Sequence, residues 1–277
     1  MSEPKVLLLA GFPNSGTTIA SYVIGQHRDV FVAGELADFP AKQLKAGKLC
    51  ACGSPAAGCD FWTAVARRLE GGSGRSEAAR RGALYRAIQA ESGAALVVDV
   101  AHDLHALAQA RAAEGVDLRL VHLRRQGRAV LNSRMRRFGG PSGEPPPGPA
   151  PRLRRAFRHV IRWRTYERAV EKARRDMGAR RAIAINYEAL CGQAEVVLAA
   201  IGRLTGLDFN GVGDGVATGK PLKTMPHMIR GNPRLKAKAT VRLAADDGFR
   251  SELTLGDRFA YIVASCLAPA LRKRKRV

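Results

Sequence analysis

Acidic residues are scarce in this chain: 24 Asp plus Glu stand against 46 Lys plus Arg, a formal charge of +22 with the histidines neutral. A neutral or acidic surface is thereby excluded. Fields of this sign attract anions, and nucleic acid, anionic lipid and multiply phosphorylated small molecules all qualify. Long apolar runs are missing as well. No stretch comes near the roughly 18 residues of a membrane-crossing helix, and Lys5–Ala10 is only a strand's length before a Gly-rich turn, so it is neither a signal core nor a span. The expectation is a soluble, cytoplasmic protein. Aromatics are only 6% and do not interleave with the arginines, unlike a single-strand nucleic-acid binder. No specific nucleic-acid partner is expected. At 46% hydrophobic the chain can bury a sizeable core, which excludes low-hydrophobicity disorder. Its 277 residues suit one α/β domain spanning 1–277.

An even cysteine count is also missing. With five cysteines and no export signal, disulfides are not the expectation. Cys50, Cys52 and Cys59 cluster ahead of Phe61-Trp62, but three thiolates need a fourth ligand to hold zinc, and no His or further Cys stands nearby. A structural loop without metal is expected there. Cys191 and Cys266 read as core residues in helical, apolar contexts.

What is present is an alternation. Apolar runs of strand length occur at Val6–Ala10, Val30–Ala33, Ala95–Val98, Leu118–Leu123 and Ala182–Ile185, separated for the most part by stretches long enough for a helix. That pattern predicts an α/β fold, a central parallel sheet with helices on both faces and the ligand at the carboxyl ends of the strands. Residues 152–181 hold 12 basic residues against Glu167, Glu171 and Asp176. They read as a long helix with either a solvated basic face or a binding face. Gly139–Pro151 carries six of the 14 prolines and reads as a loop or lid, and 71–74 and 211–219 as flexible connections. The basic tail 270–277 could make weak peripheral contact with anionic lipid.

The first turn, Gly11-Phe12-Pro13-Asn14-Ser15-Gly16-Thr17-Thr18, has the glycine spacing of a Walker A loop but Thr17 where a nucleoside-triphosphatase needs Lys. Backbone N–H groups and hydroxyls at the start of a helix can still cradle a phosphate monoester. Near mid-chain, Leu118–Leu123 delivers Arg124, Arg125 and Arg128 to the ligand edge, where planar guanidinium donors suit a second phosphate.

Pro13-Asn14-Ser15-Gly16-Thr17-Thr18, together with Arg125 and Ser133 eight residues apart, resembles the sulfotransferase family that uses 3′-phosphoadenosine 5′-phosphosulfate (PAPS). Gly34-Glu35-Leu36, Tyr187-Glu188-Ala189-Leu190 and His227 to Arg234 are weaker marks of the same likeness, the last similar to bacterial members. The resemblance spans roughly residues 5 to 260. It implies a P-loop-like sulfotransferase fold, with Asn14, Ser15, Gly16, Thr17 and Thr18 at the 5′-phosphosulfate and Arg125 and Ser133 at the 3′-phosphate. It further implies adenosine 3′,5′-bisphosphate as product, a sulfate-accepting substrate and no required metal. Arg230, Gly231 and Arg234 correspond to a loop closing over the 3′-phosphate, or else form a basic surface turn. Glu35 matches a catalytic Glu, and would otherwise be a first-turn acid of a helix over 37–45. His102 falls where many relatives carry a bridging Lys, and Asn14 where they carry Lys or Arg; both are departures that remove a fixed cation. A kinase-like phosphotransferase, with Asp99 as its metal-binding acid, and a non-catalytic basic module are the alternatives.

Overall fold

The computed structural model describes residues 3–37, 39, 50–70, 76–136, 148–232, 235, 238 and 240–267. Strands β1 (Lys5–Ala10), β2 (Val30–Gly34), β3 (Leu96–Ala101), β4 (Asp117–Arg124) and β5 (Ala182–Asn186) form a parallel sheet in the order β2-β3-β1-β4-β5. β1 is apolar on both sides because both sides are covered: Val6, Leu8 and Ala10 join one core cluster, Leu7 and Leu9 the other. Truncating fully buried Leu8 to Ala would cost about 2–5 kcal/mol.

Among the described residues, eleven helices follow in chain order. They are α1 (Thr17–Ile24), α2 (Asp60–Arg67), α3 (Glu77–Ser92), α4 (Leu104–Arg111), α5 (Gly127–Arg136), α6 (Pro149–Met177), α7 (Tyr187–Gly192), α8 (Ala194–Thr205), α9 (Asn210–Ala217), α10 (Phe249–Glu252) and α11 (Leu255–Leu267). The first, seventh and eighth bury apolar residues against one face of the sheet, and α2 to α6 with α11 against the other. α6 buries Ala156, Val160, Trp163, Tyr166, Val170 and Ala173, a three-four spacing that gives one apolar stripe and leaves its arginines outward. It is pinned to the sheet by the Tyr166 hydroxyl, which donates to the Ala101 carbonyl at 2.6 Å, and by Glu167, 3.0 Å from buried His122 of β4. No helix among the described residues is long and apolar enough to cross a membrane.

Every strand reading lies within three residues of its observed ends, but several loop readings fail. Pro149 and Pro151 open α6 rather than closing a lid, because the first helical turn has no acceptor for its N–H groups and so loses nothing to proline. The rest of that lid, 139–147, lies outside the described residues, as do 71–74 and the basic tail. Residues 211–217 belong to α9: Gly213 packs so close to Glu195 that an added Cβ would sit 3.2 Å from its Cα, and tertiary contact overrides the propensity of the glycines. The stretch after His102 is α4, capped by Asp103 Oδ1 on the Ala106 N–H at 2.8 Å. Cys266 is exposed rather than core, because α11 turns that position away from the sheet.

Candidate active site

β1 and β4 are hydrogen-bonded neighbours, so the loops that leave their carboxyl ends lie side by side. The first is a tight turn, with Ser15 N–H on the Phe12 carbonyl at 2.9 Å, followed by α1. Gly16 is left-handed at φ 90°, and a Cβ there would stand 2.4 Å from the Tyr187 ring, so only glycine closes this turn. The turn gives α1 no side-chain cap, leaving its first N–H groups for an external acceptor. Two buried polar atoms in the same loop, Asn14 Nδ2 and Ser15 Oγ, have no partner. Unsatisfied buried donors are costly, and here they point to an anion that completes them. The other hydroxyls are engaged: Thr17 Oγ1 lies 3.3 Å from His102 Nε2, and Thr18 Oγ1 accepts from the Asn232 N–H at 3.3 Å.

Arg125 is not one of a surface crowd. Its side chain is 9% exposed, donates to the Asn14 carbonyl at 2.8 Å, stacks over Tyr187 at 4.9 Å and faces Asp246 at 3.5 Å. The two sequence motifs therefore touch. Ser133, half-buried, lies on α5, which starts two residues beyond Arg125. Arg124 and Arg128 take other work: Arg124 pairs with Glu171 at 2.6 Å, and Arg128 sits over Tyr261. An open groove of about 950 Å³ runs from Arg125 between Trp163, Arg168, Asn186 and Glu188.

The other lip of the first loop carries Glu35 and His102. Glu35 leaves the end of β2, and its following residue is held from both sides: Leu36 N–H donates to Asp99 Oδ1 at 3.2 Å, and Arg81 donates to the Leu36 carbonyl at 2.8 Å. The Glu35 carboxylate stands 3.4 Å from His102 Nε2 and 3.3 Å from Arg230 Nε, and accepts from the Gly231 N–H at 3.3 Å. Partial burial works against its charge, but His102, Arg230 and Gly231 outweigh that and hold its pKa below the ordinary value. His102 is the mirror case. Burial disfavours the cation, yet Glu35 and the Gly11 carbonyl raise its pKa. Gly11 O lies 2.8 Å from His102 Nδ1, and a carbonyl can only accept, so Nδ1 carries a proton and Nε2 faces Glu35 and Thr17.

Of the residues singled out from sequence, Asn14 to Thr18, Glu35, His102, Arg125, Arg230 and Gly231 thus converge around one loop. Arg230 and Gly231 contact Glu35, and Arg234 lies outside the described residues, as does most of the helix expected over 37–45. Asp99 does not serve as a metal-binding acid at a strand end. It is buried inside β3, bonded to the Tyr85 hydroxyl at 2.6 Å, and burial raises its pKa despite Arg81. His105 is exposed. Sequence reasoning missed Arg81, which a plain helical arginine does not advertise, and Asp246, which no motif marks. The expectation that the three clustered cysteines lack a fourth ligand also fails: His227, remote in sequence, is brought against them.

A five-stranded parallel sheet, with a tight strand-to-helix turn at its carboxyl edge and a carboxylate–imidazole pair beside that turn, fits an enzyme of the sulfotransferase fold. The Sulfotransferase family profile matches residues 6–211, and the chain belongs to that family, whose members transfer sulfate. A comparison with curated protein sequences finds no significant match. Among solved structures, the chain is similar to the sulfotransferase domain of the Synechococcus PCC 7002 olefin synthase, with 18% identity, TM-score 0.52 and 96% of each chain covered. It is likewise similar to the sulfotransferase domain of the curacin biosynthetic pathway, with 14% identity, TM-score 0.58, and 96% of this chain and 99% of that one covered. At these identities the likeness is one of fold.

Proposed function

We propose that the protein transfers the sulfuryl group of PAPS to an acceptor hydroxyl, releasing adenosine 3′,5′-bisphosphate. The observation that carries this reading is the direct contact of Arg125 with the loop that also holds the orphaned Asn14 and Ser15 groups. Two anion-binding elements thus share one short span, as a nucleotide with phosphates on 3′ and 5′ requires. Bound there, PAPS supplies an electrophilic sulfuryl group on a good leaving group. Asn14 to Thr18 and the start of α1 would hold the 5′ end, and Arg125 with Ser133 the 3′-phosphate.

Glu35 takes the acceptor's proton. Its lowered pKa keeps it ionised at neutral pH, and Arg230 and the Gly231 N–H aim it. His102, its cation favoured, donates from Nε2 toward the leaving oxygen in the role that a Lys fills in many relatives. Thr17, 3.3 Å from the same nitrogen, links the imidazole to the loop. The acceptor would approach past Glu35, and its class (carbohydrate, lipid, peptide or small molecule) stays open. A cytoplasmic location is part of the reading.

Calorimetry tests the proposal. Adenosine 3′,5′-bisphosphate is expected to bind at least about tenfold tighter than AMP, roughly 1.4 kcal/mol, and Arg125→Ala and Ser133→Ala to erase that margin. Equal affinity for the two nucleotides removes the second phosphate pocket and the proposal with it. Magnesium-dependent ATP turnover would instead favour the kinase-like alternative.

A further inference from the structure

The cluster that the catalytic reading leaves unused is made of Cys50, Cys52, Cys59 and His227. Cys50 and Cys59 are each 2% exposed. Cys59 Sγ lies 3.7 Å from Cys52 Sγ and 3.4 Å from His227 Nδ1, Cys50 Sγ lies 4.0 Å from the same nitrogen, and the four ligand atoms all fall within 4.8 Å of one another. Around a tetrahedral zinc, sulfurs at about 2.3 Å and an imidazole nitrogen at about 2.0 Å would be separated by roughly 3.5–3.8 Å. The cluster is close to that size.

Its surroundings are built to hold it. Cys50 to Ser54 form a tight turn, with Cys50 N–H on the Ser54 carbonyl at 2.8 Å and Gly53 N–H on the Cys50 carbonyl at 3.1 Å. Cys59 sits at the N-terminus of α2, whose first turn clamps the histidine. Phe61 stacks on the His227 ring at 5.1 Å and 13°, and Trp62 Nε1 donates to the His227 carbonyl at 2.7 Å. Without an ion, these contacts are weak thiol hydrogen bonds, a poor return for burying two thiols and fixing an imidazole.

We propose that Cys50, Cys52, Cys59 and His227 bind one structural zinc ion that clamps residues 226–231 to the edge of the sheet. Three soft thiolates and one imidazole suit zinc, and four protein ligands leave no open position for catalysis. The site's consequence lies three residues on. Ile229 N–H donates to the Ala33 carbonyl at 2.9 Å, Glu35 N–H to the Ile229 carbonyl at 3.0 Å, and Arg230 reaches Glu35. The zinc thus fixes one end of the strap whose other end aims the Glu35 carboxylate. This inference does not depend on which nucleotide the enzyme uses.

Elemental analysis of the purified chain should find about one zinc per molecule, falling below about 0.2 in Cys59→Ser and His227→Ala and retained in His227→Cys, which keeps four ligands. Because the serine and alanine variants could lose their fold, cobalt exchange on the unaltered chain decides independently. It should give the intense visible bands and near-ultraviolet sulfur-to-metal band of tetrahedral thiolate cobalt, and a strong chelator should lower Tm by several degrees. A folded chain with no metal, an octahedral cobalt spectrum, zinc retained in Cys59→Ser, or a Cys52–Cys59 disulfide would each overturn the proposal.

Discussion

Two regions meet at the carboxyl edge of the sheet, and they are built in opposite ways. Residues 11–18 contain no charged side chain, yet they hold orphaned buried polar atoms and a helix start without a cap. The outer face of α6 is crowded with arginine, and part of that charge is paired with carboxylates. Glu171 takes Arg124, Arg174 and Arg175, and Asp257 takes Arg152 at 2.7 Å. Those arginines, Arg174 and Arg175 first, also drive the Glu171 carboxyl far below its ordinary range. The proposed anion site is thus distinguished by donors that still lack an acceptor, not by the number of positive charges nearby.

The comparison can be broken or sharpened by substitution. The largest loss is expected from Glu35→Gln, which should lower kcat by about 10²–10⁴ while leaving nucleotide affinity within about threefold. Its pH dependence has a definite sign. With Glu35 shifted down and His102 shifted up, the acid limb of the activity profile should fall below about 4.3 and the alkaline limb above about 6.5. The pair's contribution to stability follows the same window: the Glu35 part is present above about 4.3 and lost as pH falls through its folded value, and the His102 part is present below about 6.5 and lost as pH rises through its own. An acid limb above about 4.3 or an alkaline limb below about 6.5 would separate the pair from the chemistry.

Next comes Gly16→Val, which forces a side chain into the Tyr187 ring at a left-handed φ. It should weaken adenosine 3′,5′-bisphosphate binding about 100-fold, roughly 2.8 kcal/mol, a loss that titration calorimetry measures directly. Asp246→Asn should have a smaller effect of the opposite sign. It removes the carboxylate facing Arg125, and nucleotide affinity should rise by about threefold, around 0.7 kcal/mol, in the same titration. The smallest effect belongs to Arg175→Ala on α6. Its side chain is 73% exposed, and the loss should cost less than about 0.5 kcal/mol of stability and change nucleotide affinity less than about twofold. A large loss of nucleotide binding in that variant would make the basic helix part of the site after all.

The turn proposed to hold an anion was legible before any fold because its requirements are local. A strand, a glycine that must be left-handed and a helix start are contiguous in sequence, and β4 delivers Arg125 by the same logic. Glu35 and His102 could be named as separate candidates from the family resemblance. Their pairing could not, since it depends on β2, β3 and β1 lying side by side and on Arg81 and Asp99 gripping Leu36. The prolines of α6 and the glycines of α9 misled because local propensity was set against tertiary packing, and packing prevailed.

The amino-acid order by itself determined the alternating strands and helices and the glycine turn after the first strand, because hydrophobic period and turn chemistry act between near neighbours. Only the tertiary structure decided that Arg125 touches Asn14, that Glu35 and His102 stand 3.4 Å apart, and that His227 joins a thiol cluster about 170 residues upstream of it. Those contacts join groups far apart along the chain, and no periodicity encodes which strand will lie beside which.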